Sequence, residues 1–170
     1  MTRKRVPLSK RLVFDLAAGE VRDDDRRYLL MRADVLMGAL TRLHVKDRLR
    51  VLHALADSTA ANGGKSLRAY QSESRPTPSQ LLEIVRDSAA ALGWGRWEFD
   101  SEPGMLVLKV ENSPFAAGFG HSSGPVCAPI SGMLRSVAEI VLNTPVEVDE
   151  TACAAQGAGG ICRFVARSSP

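Results

Sequence analysis

The chain has 170 residues, 45% hydrophobic and 24% charged, with 22 basic residues set against 19 acidic ones for a net charge of +3. This is ordinary globular composition, long enough to bury a core as one domain. The small basic excess is concentrated only at TRKR near the start, with Lys10 and Arg11. No recognition motif accompanies it, so direct nucleic-acid binding by this chain is not expected.

No apolar run approaches the roughly 20 residues that cross a bilayer, and the first one, LVFDLAA, is interrupted by Asp15. Neither a signal-peptide core nor a membrane span is read, and a cytoplasmic protein is expected. Three cysteines is an odd number. In a reducing compartment, widely spaced cysteines are buried, metal-bound or reactive more often than disulfide-linked.

Residues 12–21, LVFDLAAGEV, read as a short strand and a turn at Gly19. From Asp24, apolar residues recur at helical spacing through Tyr28, Leu29, Met31, Val35, Leu36, Leu40 and Leu43, which predicts one amphipathic helix over 24–43. A second helix is predicted from Lys46 to Ala60, stopped by Asn62, Gly63 and Gly64. The polar, proline-containing segment QSESRPTPS then divides the chain. Thr77 or Ser79 can cap a third helix carrying Leu81, Leu82, Ile84, Val85, Ala89 and Leu92, with Gly93 as its stop. The period falls to two in GRWEFD and MLVLKVEN around the turn SEPG, a β-hairpin. A looser segment, SPFAAGFGHSSG, precedes a helix from Val126 to Val141, and PVEVDE and GICRFVA read as a closing pair of strands. The order of strand, helices, hairpin, helix and hairpin is that of an α+β fold with an antiparallel sheet.

Two glycine motifs fail. NGGKS lacks the earlier glycine of a phosphate loop, since that place holds Thr59, and GAGG at 157–160 is followed by Cys162 where a dinucleotide fingerprint needs its last glycine. His44, His53 and His121 are far apart and none stands beside a nucleophile motif, so no catalytic triad is assembled.

One constellation remains. Cys127 opens a helix after Pro125, Glu150 ends a strand, Cys153 lies in the following loop and Cys162 starts the next strand. Pairing of the last two strands would bring Glu150 and Cys162 together with Cys153 above them, leaving Cys127 to arrive from the helix start, where the dipole favours a thiolate. Three thiolates and a carboxylate can fill a closed, structural zinc shell. On spacing alone, three buried thiols and a surface glutamate fit equally, because the usual CxxC knuckles are missing.

The stretch PVCAPISGMLRSVAEIVLNTPVEVDETACAAQGAGGICRFVA, with the preceding ENSPFA, resembles the 4-vinyl reductase-type domain, a predicted hydrocarbon-binding module. That domain also occurs in the sensory regions of bacterial activators of aromatic catabolism, whose N-terminal portion resembles LVFDLAAGEVRDDDRRYLLMRADVLMGALTRL through LADSTAANGGKSLRAYQ. The resemblance implies a ligand-binding fold shared with trafficking-complex components. It also implies structural zinc on Cys127, Glu150, Cys153 and Cys162, and a buried pocket for an aromatic effector beside the metal. Residues 1–75 would then be an N-terminal part taking part in homodimer formation, and 76–170 the ligand-binding part, together one sensory unit.

Aromatic placement suggests Trp94, Trp97, Phe99, Phe115 and Phe119 as pocket residues, with His121 as a polar contact. Phenol-responsive relatives present histidine and tryptophan to the ligand hydroxyl. Here no histidine lies between His53 and His121, and Asn112 and Ser113 are followed by Pro114 and Phe115, so a less polar or larger ligand is expected. These residues hold no ATPase segment or helix-turn-helix. The expectation is a non-enzymatic sensor for a small hydrophobic, aromatic molecule. The alternatives are an enzyme or accessory factor of tetrapyrrole biosynthesis, for which no complete nicotinamide or flavin motif is found, and a protein-interaction scaffold.

Overall fold

The computed structural model describes residues 6–157 and 159–169; the TRKR cluster lies outside the described residues. A short helix α1 (Leu8–Arg11) leads into β1 (Val13–Asp15), β2 (Glu20–Asp23) and β3 (Arg26–Tyr28), which form a three-stranded antiparallel sheet. Helices α2 (Ala33–Thr41), α3 (Val45–Ser74) and α4 (Pro78–Ala91) follow. Next come β4 (Arg96–Glu102), β5 (Met105–Glu111), α5 (Pro114–Phe119), α6 (Ala128–Leu142), β6 (Val146–Ala152), a single 3-10 turn at Ala154–Gln156, and β7 (Ile161–Ser168). The larger sheet has strand order β4-β5-β7-β6, antiparallel throughout, so the α+β expectation holds.

The sheet's inner face carries Trp97, Leu106, Leu108, Val110, Cys162, Phe164 and Ala166, all fully buried. Helices α4 and α6 lie against this sheet, and α3 packs along α6 as the next layer. Local chemistry sets the element ends. Thr77 accepts from the Gln80 N–H while the Gln80 side chain accepts from the Thr77 N–H, a capping box with Pro78 in the first helical position. Ser113 caps α5 by accepting from the Ala116 N–H at 3.4 Å. Among the described residues, no helix is long and apolar enough to cross a membrane.

Three local expectations are corrected. Residues 24–43 are not one helix: β3 occupies Arg26–Tyr28, and α2 begins only at Ala33. Asp24 takes φ +54° at the tip of the β2–β3 hairpin, a conformation aspartate tolerates better than most residues, and Asp23 pairs with Arg11 across the small sheet. The expected single N-terminal strand is accordingly three. Residues 114–119, read as loose, form helix α5.

The third correction concerns Gly63 and Gly64. They do not stop a helix, because α3 runs through them to Ser74 and ends at Arg75 in the left-handed region. They lie where α3 meets α6. A Cβ on Gly63 would stand 2.7 Å from Met133 Cε, and one on Gly132 would stand 2.1 Å from the Ala56 carbonyl oxygen. Ser136 Oγ donates to the Ala60 carbonyl at 2.7 Å across the same contact. Glycine costs a helix about 1 kcal/mol relative to alanine. Here that cost is outweighed by backbone approach that no side chain permits.

Gly132→Ala should therefore destabilise the protein by about 1–3 kcal/mol or more, through overpacking against backbone. Gly38→Ala, in α2 with nothing within 4 Å of the added carbon, should be neutral or stabilising by up to about 1 kcal/mol. Urea midpoints of the two variants check this pair of outcomes.

Candidate metal centre and cavity

The last hairpin builds one wall of the candidate metal centre. In β7, Cys162 faces inward opposite Val110 of β5, which in turn opposes Trp97 of β4. On the other side of β7, Glu150 pairs with Phe164, and a register shift between Glu150 and Ala152 turns the chain so that Cys153 comes over the sheet. The 3-10 turn that follows directs the Ala154 N–H at Cys162 Sγ, 3.3 Å away. Cys127 is the N-cap of α6, and its N–H donates to Glu150 Oε2 at 2.9 Å. Ser113, the α5 cap, lies 3.2 Å from Cys127 Sγ through its hydroxyl.

The ligating atoms of Cys127, Glu150, Cys153 and Cys162 all lie within 4.8 Å of one another. The sulfur of Cys127 is 3.6 Å from that of Cys162 and 3.9 Å from that of Cys153. Sulfurs bound about 2.3 Å from a tetrahedral ion sit roughly 3.8 Å apart, so the separations fit such a shell. All three cysteines are fully buried, and Glu150 Oε1 is buried without a hydrogen-bond partner. The cluster can hold a metal ion with four protein ligands, which leaves no open coordination position of the kind that activates water.

Electrostatics favours a cation there. Burial pushes the Glu150 carboxyl up to about 8, and a hydrogen bond with Cys153 adds to that shift. Hydrogen bonds from Cys127 and Cys153 hold the Cys162 thiol down at about 4, while the same contacts with Cys153 and Cys162, together with burial, raise Cys127 far above an ordinary thiol. One thiolate is thus supported by the protein's own donors, and the remaining acids resist ionisation without a counter-ion.

The largest apolar-walled space lies elsewhere, between α3, α4 and the N-terminal sheet. It has a volume of about 830 Å³, within the range of small-molecule pockets. Leu67, Val85, Ala89, Trp94, Trp97 and Met133 contribute its apolar wall; Asp23, Arg26, Arg27, Tyr28 and Lys65 line the side toward solvent. Of the six residues suggested for a pocket, Trp94 and Trp97 border this cavity. Phe115 meets Trp94 edge-on at 5.2 Å, and Phe99 meets Trp97 at 6.0 Å, so both stand behind the wall. Phe119 packs beneath the Arg48 guanidinium at 5.4 Å, and His121 is exposed in the loop after α5. A more open groove of about 760 Å³ runs past His53, Asp57, Arg135 and Glu150.

The sequence reading missed Asp23, Tyr28, Leu67 and Met133 as cavity residues and Ser113 as a neighbour of the metal cluster. Asp23 and Tyr28 were hidden by the helical period assigned around them. Nothing local in the sequence marks Ser113.

A cavity roofed by helices over an antiparallel sheet, with a cysteine and carboxylate cluster clasping the last hairpin, defines a class of α+β binding domains. Residues 106–168 match the family model of the 4-vinyl reductase domain, and the chain carries that domain over this segment. The fold is similar to the crystal structure of the phenol-responsive sensory domain of the transcription activator PoxR with phenol. That likeness has a TM-score of 0.75 at 16% identity and covers 95% of this chain and 86% of that one. A vinyl-4-reductase family protein from Methanocaldococcus jannaschii is similar with a TM-score of 0.52 at 16% identity, covering 86% of each chain. A trafficking protein particle complex subunit 3 from Naegleria fowleri, covalently bound to palmitic acid, gives a TM-score of 0.50 at 14% identity over 81% of this chain and 95% of that one. No curated protein sequence matches the chain.

Metal uptake should be steeply pH-dependent, because the metal must displace protons from its ligands. In the metal-free folded protein Glu150 stays protonated from its ordinary 4.5 up to about 8, so its share of apparent affinity grows as pH rises toward 8 and then levels off. With cobalt(II) as a coloured probe, affinity should rise by about tenfold per pH unit for this proton. Glu150→Gln should bind more weakly with a shallower slope, and Cys153→Ser should lose most of the thiolate-to-cobalt absorption. A pH-independent affinity would contradict the arrangement.

Proposed function

We propose that the chain is a non-enzymatic sensory or binding module for a small hydrophobic, aromatic molecule, with zinc as a structural ion. The observation that carries this reading is the cavity of about 830 Å³ walled by Trp94 and Trp97, in a fold similar to a phenol-responsive sensory domain. Trp94, Trp97, Phe99, Phe115 and Phe119 supply the aromatic surface, the first two directly and Phe99 and Phe115 by bracing them. Zinc on Cys127, Glu150, Cys153 and Cys162 ties the terminal hairpin to the start of α6. It thereby holds the sheet against the helix that contributes Met133 to the cavity. Supporting the assignment to zinc are three sulfur donors, a four-ligand shell and sulfur separations suited to a tetrahedral ion.

Residues 1–75 form the assembly part in this reading. Phe14, Leu16, Leu29, Leu30, Met31 and Val35 leave half or more of their surface exposed, and Leu16 is 90% exposed. Apolar surface grouped in this way favours a partner, and a second copy of the chain is the partner we propose. Leu29→Asp with Leu30→Asp should halve the mass measured by light scattering while leaving the circular dichroism spectrum unchanged. A chain already monomeric at high concentration would remove the homodimer from the reading.

Occupancy of the cavity should stabilise the folded state by mass action. A ligand at 100 times its Kd adds about 2.7 kcal/mol, which corresponds to a rise in Tm of about 5–10 °C for a chain of this size. Naphthalene, 2-naphthol and single-ring aromatics, titrated against tryptophan fluorescence and thermal unfolding, should give at least one saturable response. Zinc analysis of the same purified sample should give about one ion per chain. Absence of both a response and a Tm shift across the panel would overturn the ligand-binding reading.

A further inference from the structure

The cavity wall contains an acceptor that its apolar lining does not satisfy. Asp23 stands on β2 with 2% of its surface exposed and borders the cavity. Its Oδ2 accepts from Arg11 Nη2 at 2.9 Å and lies 3.6 Å from Arg26 Nη1. Its Oδ1 is buried and has no hydrogen-bond partner among the described residues. A carboxylate oxygen withdrawn from water without a donor carries a desolvation cost that native proteins rarely leave uncompensated. Where such an oxygen belongs to a cavity wall, the group that can satisfy it is one brought by the occupant.

The surroundings decide what kind of donor fits. Arg11, Arg26, Arg27 and Lys65 line the same side of the cavity, against Asp23 and Asp25. An ammonium group would enter a field that is already net positive. A carboxylate has no proton to give Oδ1 at neutral pH and would face Asp23 with like charge. A neutral hydroxyl meets both conditions, since its O–H donates to Oδ1 and its oxygen can accept from a neighbouring cation.

Resting on the reading of this cavity as the ligand site, we infer that Asp23 is its polar anchor and that the occupant is an apolar, ring-bearing molecule carrying a hydroxyl group. This role is not filled by histidine, as His121 is exposed and outside the cavity wall. The anchor sits on the small N-terminal sheet, whereas the aromatic wall belongs to Trp94 and Trp97 at the start of the larger one. The hydroxyl therefore points toward β2 and the ring toward the tryptophans.

The test compares 2-naphthol, naphthalene and 2-naphthoate on the full chain at neutral pH, by calorimetry and tryptophan fluorescence. A site built to bond a hydroxyl rejects the analogue that lacks it, so 2-naphthol should bind at least about tenfold more tightly than naphthalene. It should also bind more tightly than 2-naphthoate. In Asp23→Asn, naphthalene affinity should be unchanged while the advantage of 2-naphthol shrinks to about threefold or less, the charge-assisted bond having been lost. Equal affinity for 2-naphthol and naphthalene in the unaltered protein overturns the anchor while leaving the cavity as an apolar site. So does a full advantage in folded Asp23→Asn. Preference for 2-naphthoate overturns it in favour of the cationic side chains. Failure of all three probes to bind overturns the proposed function itself. Because the ratio in the unaltered protein decides between the first two cases, poor folding of Asp23→Asn does not leave the inference undecided.

Discussion

The architecture depends on two helix backbones meeting with almost nothing between them. At Gly132 the α6 backbone lies so close to the Ala56 carbonyl of α3 that even a methyl group would collide with it, and Ser136 fastens the same seam to Ala60. Close-packed interiors transmit such a constraint with little slack. With α6 fixed in this way, Cys127 at its first turn is delivered to the hairpin that carries Glu150, Cys153 and Cys162, while Met133 further along reaches the cavity. The metal cluster and the cavity are organised by two ends of one helix segment.

Elements whose signals are local were legible in the sequence. The capping box at Thr77, the period of two in β4 and β5, and the apolar stripe of α6 each act within a few residues, and each element formed where the pattern indicated. The metal cluster was legible for a different reason: a hairpin with known ends brings Glu150 and Cys162 to the same sheet face. The misreadings share a cause in tertiary competition. Spacing alone favoured a helix across Asp24 to Ala33, but the Asp23 carboxylate meets Arg11 and Arg26 only if the chain turns back on itself. Gly63 and Gly64 resembled a helix stop because their value lies in contact with α6, which is distant in sequence. The bulge after Glu150 and the approach of Ser113 to Cys127 have no local signature at all.

The two sites solve opposite electrostatic problems. The cluster gathers acids in a dry place, raising Glu150 by burial and sharing protons unevenly between Cys127 and Cys162, so that a divalent cation is the natural complement. The cavity pairs aromatic surface with one buried carboxylate and several cations at its solvent side. They are neighbours across the sheet: Trp97, Val110 and Cys162 stand in one row over three strands, which is roughly 10 Å. The tryptophan wall and the metal ligand share a sheet row in which strand positions are set by a common hydrogen-bond ladder.

Strand order also gives the molecule a direction in time. β7 is the latest strand in sequence, yet it lies between β5 and β6, pairing Val110 with Cys162 across a long intervening segment. The β4–β5 hairpin can close early, because its strands are separated by a tight turn. Its inner neighbour arrives only after α5, α6 and β6 have been made, and non-local pairing of this kind is slow. During synthesis β5 is therefore a temporary edge, the sort of strand that invites association with other chains. The strand that covers it brings Cys162, so sealing the edge and completing the four-residue cluster are a single late event.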